Sequence, residues 1–303
     1  MMSARFLTVV LERAFNMRDG FGREIDYMRI SVIDSCNLNC YYCNPCDNNE
    51  HCHALNILSV KEVLCIVRAA TRLGIKHFRL TGGEPLLHPQ LDEMVLQIKK
   101  IPGVSSVSLT TNAVLLVQHA KWLKEAGIDS INVSLDTIDA SEYERITKKP
   151  LLEEVKHGIN AAIECGIRVK INVVLTPQTD VVALTRYVAK KGTDIRFIEM
   201  MPVGEGHTNG VEPYKKVIGT LSKLYGEPCR INTEKTKEIN SGNDKRKIPD
   251  NGPAEYYIFP ELGIRVGLIQ AIHGKFCDTC NRIRVTADGR LMPCLGSSVT
   301  MDL

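Results

Sequence analysis

Cys36-x3-Cys40-x2-Cys43 is a spacing that lets three thiolates converge on one metal centre. A [4Fe–4S] cube has four irons, so three protein thiolates leave one iron open to a small molecule. The trio follows a β-rich run, Tyr27–Ile33, which places it at a strand end, where the active sites of α/β barrels gather. Zinc is the other chemistry these residue types allow, because Cys43 and Cys46 form a CxxC pair with His51, Cys52 and His53 nearby. Zinc knuckles usually need a second well-spaced pair close in sequence, and the strand-then-loop context favours the cluster. A second trio, Cys277-x2-Cys280-x13-Cys294, suits either a cluster with a free iron or a structural zinc site completed by a residue such as His273. Cys65 and Cys165 fall in helical patterns as core residues, and Cys46, Cys52 and Cys229 have no spacing that demands a role.

The elements that must position these thiols read as repeated β/α units. Ser59 with Glu62 forms a capping box, and Val63, Leu64, Val67, Ala70 and Leu73 make an apolar stripe that stops at Gly74. Further strands are expected at Ile75–Leu80, Val104–Thr110, Ser130–Leu135, Ile167–Leu175 and Ile195–Glu199, with helical patterns between them, one over Gln90–Lys100. Six such units imply a parallel sheet, because each strand needs a crossover to return in the same direction. Eight would close a full barrel, so the expectation is an α/β fold with a partial (βα)6 TIM-like barrel over residues 1–210. Residues 211–303 are expected to form a small β-rich C-terminal extension with its own cysteines. In it, Thr233–Gly252 reads as a mobile loop, Tyr256–Phe259 and Ile264–Ile269 as strands, and Ile283–Pro293 as a hairpin turning at Asp288-Gly289.

Composition narrows the class. The 303 residues are 44% hydrophobic and 24% charged, with a formal net charge of +3, which is too small to argue for nucleic acid. Phe6–Val10 is apolar, but Glu12 and Arg13 interrupt it before it reaches signal-peptide length, and no later stretch is long enough to span a membrane. The expected location is cytoplasmic, where eleven cysteines more often bind metal than form bridges.

Beyond the trios, Thr81-Gly82-Gly83-Glu84-Pro85 follows the second strand and Asn132-Val133-Ser134-Leu135-Asp136 ends the fourth. Together with Tyr42 just before the third cysteine, these motifs resemble the radical S-adenosylmethionine (SAM) superfamily. The resemblance implies that SAM chelates the open iron of the first cluster and is cleaved by it to a 5′-deoxyadenosyl radical. It also implies SAM contacts at Tyr42, Gly83, Ser134 and Met201. With Arg282 and Arg284 directly after Cys280, the run from about Asp19 to Leu295 resembles one family in particular, the GTP 3′,8-cyclases of molybdenum-cofactor biosynthesis. That family implies a lyase with two [4Fe–4S] clusters, the second of which meets the guanine of GTP. GTP-binding positions are implied at Arg29, Arg79, Thr110, Lys170, Arg282, Ile283 and Arg284. The implied reaction takes hydrogen from C3′ of the ribose and joins C3′ to C8, giving 3′,8-cyclo-7,8-dihydro-GTP. An electron donor and a downstream cyclic pyranopterin synthase are the implied partners, and a homodimer is left open.

Elementary charge chemistry points the same way. Arg29, Arg79, Lys170 and Arg196 sit on or beside separate strands, and cations converging inside a barrel need an anion to meet them. Ser35, Asn39, Asn44-Pro45, His77, His88-Pro89 and Ala113 depart from the family pattern, and the family's terminal Gly-Gly tail has no counterpart before Leu303. Two other readings of the same residues are a radical SAM peptide maturase with an auxiliary cluster and a metal-binding paralogue without catalysis.

Overall fold

The computed structural model describes residues 17–43, 56–202, 211–231, 252–297 and 299–303. Its chain alternates strands with helices: β1 (Tyr27–Ser31), α1 (Val60–Arg72), β2 (His77–Thr81), α2 (Leu91–Lys99), β3 (Ser106–Thr111), α3 (Leu116–Glu125) and β4 (Ser130–Ser134). Next come α4 (Ala140–Thr147), α5 (Leu152–Glu164), β5 (Val169–Leu175), α6 (Val181–Lys190) and β6 (Asp194–Glu199). The last third holds α7 (Gly219–Tyr225), β7 (Cys229–Ile231), β8 (Glu255–Ile258), β9 (Arg265–Ile269), β10 (Arg282–Val285), β11 (Arg290–Met292) and β12 (Met301–Asp302). The capping box that opens α1 is present: the Ser59 hydroxyl accepts from the Glu62 amide, and the Glu62 carboxylate accepts from the Ser59 amide at 2.8 Å.

Among the described residues all strands belong to one sheet, in the order β12-β11-β10-β1-β2-β3-β4-β5-β6-β9-β8-β7. The six-strand parallel run is as the sequence suggests. The last third is β-rich as expected, and its strands continue the same sheet. Its β9 pairs parallel to β6 and its β10 pairs parallel to β1, so eight neighbouring strands are paired in parallel. The sequence pattern missed this because β9 and β10 are each paired antiparallel on their other side, to β8 and β11. The boundary near residue 210, the 233–252 loop apart from its last residue, and Cys46, His51, Cys52 and His53 lie outside the described residues.

Register sorts the two faces. Met28, Phe78 and Val107 align, as do Ile30, Leu80, Leu109 and Ile131, and all of them lie in the hydrophobic core. This apolar face packs on the helices. On the other face Arg284, Arg29, Arg79 and Ser108 align, and so do Thr110, Asn132, Lys170 and Asp194. These polar side chains are buried too: Arg79 is 9% exposed, and Asn132, Lys170, Asp194 and Arg196 are each 4% exposed. A polar face that no helix covers stays this dry only if the sheet curls around it. The lumen is therefore lined by charge instead of being filled with the branched apolar side chains of a packed barrel. Among the described residues no helix is long and apolar enough to cross a membrane.

Candidate active site

The first trio sits where β1 delivers it, at the carboxyl end of the parallel strands. Its loop is held by neighbouring backbone. Gly83 N donates to Ile33 O at 2.7 Å and Glu84 N to Ser35 O at 2.8 Å. A Cβ on Gly83 would lie 2.2 Å from Ser35 O, and one on Gly82 would lie 2.4 Å from Ile33 O. The glycine pair thus allows strand-end backbone to lie directly on the cysteine loop. Glu84, 1% exposed, ties this corner to the end of β3 by accepting from Thr111 Oγ1 at 2.7 Å and from Asn112 N at 2.7 Å. Asn112 in turn donates Nδ2 to Asn37 Oδ1 at 2.7 Å and lies 3.8 Å from Cys36 Sγ. Neither Glu84 nor Asn112 was singled out from sequence. Glu84 lies inside the Thr81-Gly82-Gly83-Glu84-Pro85 motif, and Asn112 directly precedes Ala113, one of the departures from the family pattern.

Ala113 takes a left-handed φ of +66°, which explains why its position suits glycine. His88 is a structural residue here: it is 2% exposed, its Nε2 meets Leu58 O at 2.9 Å, and its Nδ1 accepts from Gln90 N at 3.1 Å. Tyr42 donates its hydroxyl to Asp136, which also accepts from Val174 N at 2.7 Å. Cys40, Tyr42, Asn112, Ser134 and Asp136 line one cavity, so the structure brings Tyr42 and Ser134 together beside the trio. Met201 follows β6 at the same end of the strands.

The thiols of the first trio feel one another. Burial, Asp136, Cys43 and Cys36 push Cys40 up to about 12, and burial likewise raises Cys36 and Cys43. Three crowded thiols that resist ionising as a bare set fit a positively charged centre that would hold them as thiolates. Among the described residues no three His, Cys, Asp or Glu side chains gather around a site for a single metal ion. Three thiolates suit a cube with one open iron, whereas a structural zinc takes four ligands.

The second trio lies at the opposite, amino end of the strands. Cys280 lies two residues before β10, and β11 runs back antiparallel so that Met292 faces Arg284 and Cys294 comes level with the start of β10 at Arg282. The turn between them closes with Gly289 N donating to Thr286 O at 3.0 Å and Gly289 at φ +82°. The neighbourhood is basic: Arg23 donates to the Cys277 carbonyl at 2.6 Å, and Arg282 and Arg284 follow Cys280 on β10. The Nδ1 of His273 is engaged by Glu199.

Between the trios lies the cationic wall. Burial first, then repulsion from Arg284, Arg79 and Arg282, pushes Arg29 down to about 9. Arg29 Nε and Arg282 Nε find no hydrogen-bond partner among the described residues. Arg79 donates Nε to the Tyr27 hydroxyl and reaches Thr110 Oγ1 at 3.4 Å. Burial works to raise the Tyr27 hydroxyl, but Arg79 and Arg29 beside it pull it below its ordinary value. Tyr27 escaped the sequence reading, although it is two residues from Arg29 on the same face. Lys170 packs its ammonium 6.0 Å from the Tyr256 ring, and Arg196 Nε donates to Asn172 Oδ1 at 3.0 Å. Arg29, Arg79, Thr110, Lys170, Arg282 and Arg284 therefore share the lumen face. The Ile283 side chain does not: it aligns with Met28 in the apolar core, so only its backbone can serve the lumen.

A polar, cation-lined parallel barrel with a thiol trio just past its first strand is the architecture of the radical SAM class. Residues 30–184 match the family model described as "Radical SAM superfamily", and residues 193–303 match "Molybdenum Cofactor Synthesis C". Membership of the superfamily implies a [4Fe–4S] cluster and SAM. The GTP 3′,8-cyclase of Clostridium perfringens (strain SM101 / Type A) is 37% identical over 282 residues, covering 92% of this chain and 83% of that protein. That of Pelotomaculum thermopropionicum is 38% identical over 294 residues, covering 95% and 86%. The chain belongs to the GTP 3′,8-cyclase family of molybdenum-cofactor biosynthesis. In fold it also resembles Streptococcus suis SuiB bound to S-adenosylmethionine, with a TM-score of 0.65 at 15% identity, over 92% of this chain and 63% of that one.

Proposed function

We propose that this chain converts GTP to 3′,8-cyclo-7,8-dihydro-GTP, with SAM at the carboxyl end of the barrel and GTP held between the two trios. The observation that carries this reading is the placement of Cys36, Cys40 and Cys43 at one end of the lumen and Cys277, Cys280 and Cys294 at the other, with Arg284, Arg29 and Arg79 in register between them. A row of buried guanidiniums with unsatisfied donors is costly alone and favourable around a polyphosphate, whose oxygens accept bidentate bonds.

Cys36, Cys40 and Cys43 would hold the first cluster, which supplies the electron that cleaves SAM to a 5′-deoxyadenosyl radical. Gly83, Tyr42, Ser134 and Met201 would seat SAM, with Glu84 and Asn112 fixing the corner they share. Cys277, Cys280 and Cys294 would hold a second cluster near the guanine. Arg29, Arg79, Arg282 and Arg284 would orient the triphosphate, with Thr110 and Lys170 at the next level of the wall. That orientation brings C3′ of the ribose toward the SAM end, since hydrogen abstraction needs near-contact geometry. The buried wall also keeps bulk water from the ribose radical before C3′ and C8 join. A reductant for the first cluster and an enzyme that rearranges the cyclised nucleotide are the partners this reaction requires.

The test is anaerobic incubation of the reconstituted chain with SAM, a reductant and GTP. Formation of 5′-deoxyadenosine together with the cyclised nucleotide supports the reading. Cleavage of SAM with GTP neither bound nor consumed would sink it, and would turn attention to a peptide substrate.

A further inference from the structure

Residues 270–281 carry Cys277 and Cys280 from the carboxyl end of β9 to the amino end of β10. Those strands are the outermost of the eight parallel ones, so this segment crosses the open side of the barrel. Only a short 3-10 turn, Cys277–Thr279, punctuates it, where the earlier crossovers use helices. A crossing with so little internal hydrogen bonding must be anchored by its surroundings.

Two side chains supply the anchors. At the β6 end, Glu199 is 3% exposed and spends its whole carboxylate on this segment. Its Oε2 accepts from Ile272 N at 2.7 Å and from His273 N at 3.1 Å, and its Oε1 meets His273 Nδ1. At the β1 end, Arg23 donates Nη1 to the Cys277 carbonyl at 2.6 Å while Asp19 Oδ2 holds its Nε at 2.7 Å. The far end is then tied down by Asn281, which donates Nδ2 to Asp26 at 2.6 Å and accepts from Tyr27 N at 3.2 Å. A buried carboxylate left without its donors is strongly disfavoured, so Glu199 holds the segment in place.

We infer that Glu199 and Arg23 are positioning residues that clamp the crossing segment at its two ends and so set Cys277 and Cys280 against the lumen. The inference rests on the reading that the second trio holds a cluster that meets GTP. Neither residue belongs to the thiol trios or to the cationic row that faces the triphosphate.

The full chain, reconstituted anaerobically with iron and sulfide, provides the test as wild type and as Glu199→Ala, Glu199→Gln, Arg23→Ala and His273→Ala. The readouts are iron and labile sulfide per chain and the electron paramagnetic resonance spectrum with and without GTP. Wild type is expected to hold two clusters and to change one signal on adding GTP. Glu199→Ala and Arg23→Ala are expected to fall toward one cluster and to lose the GTP response, while the signal that responds to SAM stays. His273→Ala keeps both backbone bonds to Glu199 and is expected to keep two clusters. Should Glu199→Ala not fold, Glu199→Gln carries a milder form of the test, because its amide keeps one accepting oxygen and presents an NH2 donor in place of the second. Full iron with an unchanged GTP response in the Glu199 and Arg23 variants overturns the inference. A wild type with no GTP-responsive signal overturns the functional reading, and the inference with it.

Discussion

The two cysteine trios are held by different physical means. The first rides on one short loop and is braced by backbone: Gly82 and Gly83 lie against the carbonyls of Ile33, Asp34 and Ser35 with no room for a side chain. The second is assembled from a crossover and a hairpin, and its neighbourhood is set by side chains, chiefly Glu199, Arg23 and Arg284. A site braced by backbone contact tolerates almost no change at the brace. A site braced by hydrogen-bonded side chains can lose its geometry while the fold survives. The two ends of one lumen are therefore separable by mutation.

The largest effect is expected from Gly83→Ala. Its Cβ meets main chain on both sides, with Ser35 O at 2.2 Å and Asp34 O at 2.5 Å, so the loop must move. Overpacking against backbone costs on the order of 3 kcal/mol. The first cluster and SAM cleavage should be lost together, as read by iron content and 5′-deoxyadenosine formation. Cys280→Ser should do the reverse: GTP consumption falls by about 100-fold through lost positioning, while SAM cleavage continues. If both variants lose both activities equally, the two ends are not separable.

Arg29→Met is a smaller, two-sided change. Arg29 is held down to about 9 by burial and by its arginine neighbours, so its charge is disfavoured in the ligand-free fold. Removing it should raise the melting temperature of the ligand-free chain by about 2–4 °C and weaken binding of inorganic triphosphate about 30-fold, as measured by calorimetry. Below about 9 Arg29 already carries its proton, so an anion binds without proton uptake. Above it, binding must take up a proton, and triphosphate affinity should fall about tenfold per pH unit for wild type but not through this group in Arg29→Met. Ala113→Gly is the smallest. Ala113 sits at φ +66°, and relieving it should stabilise the SAM end by about 1 kcal/mol, visible as a small rise in melting temperature.

Much of this was legible in the sequence, and the misses have physical reasons. The first trio, the Gly-Gly-Glu-Pro corner and the six β/α units are local patterns, which spacing and periodicity carry. The pairing of β9 and β10 to opposite edges is long-range, and their short lengths look like an ordinary antiparallel hairpin set until the sheet order is known. The lumen face was half legible: Arg29, Arg79, Lys170 and Arg196 stood out as cations, while Tyr27 on the same face did not, because one tyrosine on a strand reads as core. Ile283 shows the converse, since a residue flanked by two functional arginines points its side chain away from them by strand alternation. Glu199 and Arg23 carried no motif at all. Their role comes from which loop reaches them in space.

The central claim is that a radical generated at one end of the lumen reaches a GTP ribose held from the other. Incubating the reconstituted chain with SAM, reductant and GTP deuterated at C3′ tests this directly. Deuterium is expected in the 5′-deoxyadenosine, with a product joined between C3′ and C8. Deuterium retained in unreacted GTP, with unlabelled 5′-deoxyadenosine accumulating, would contradict it.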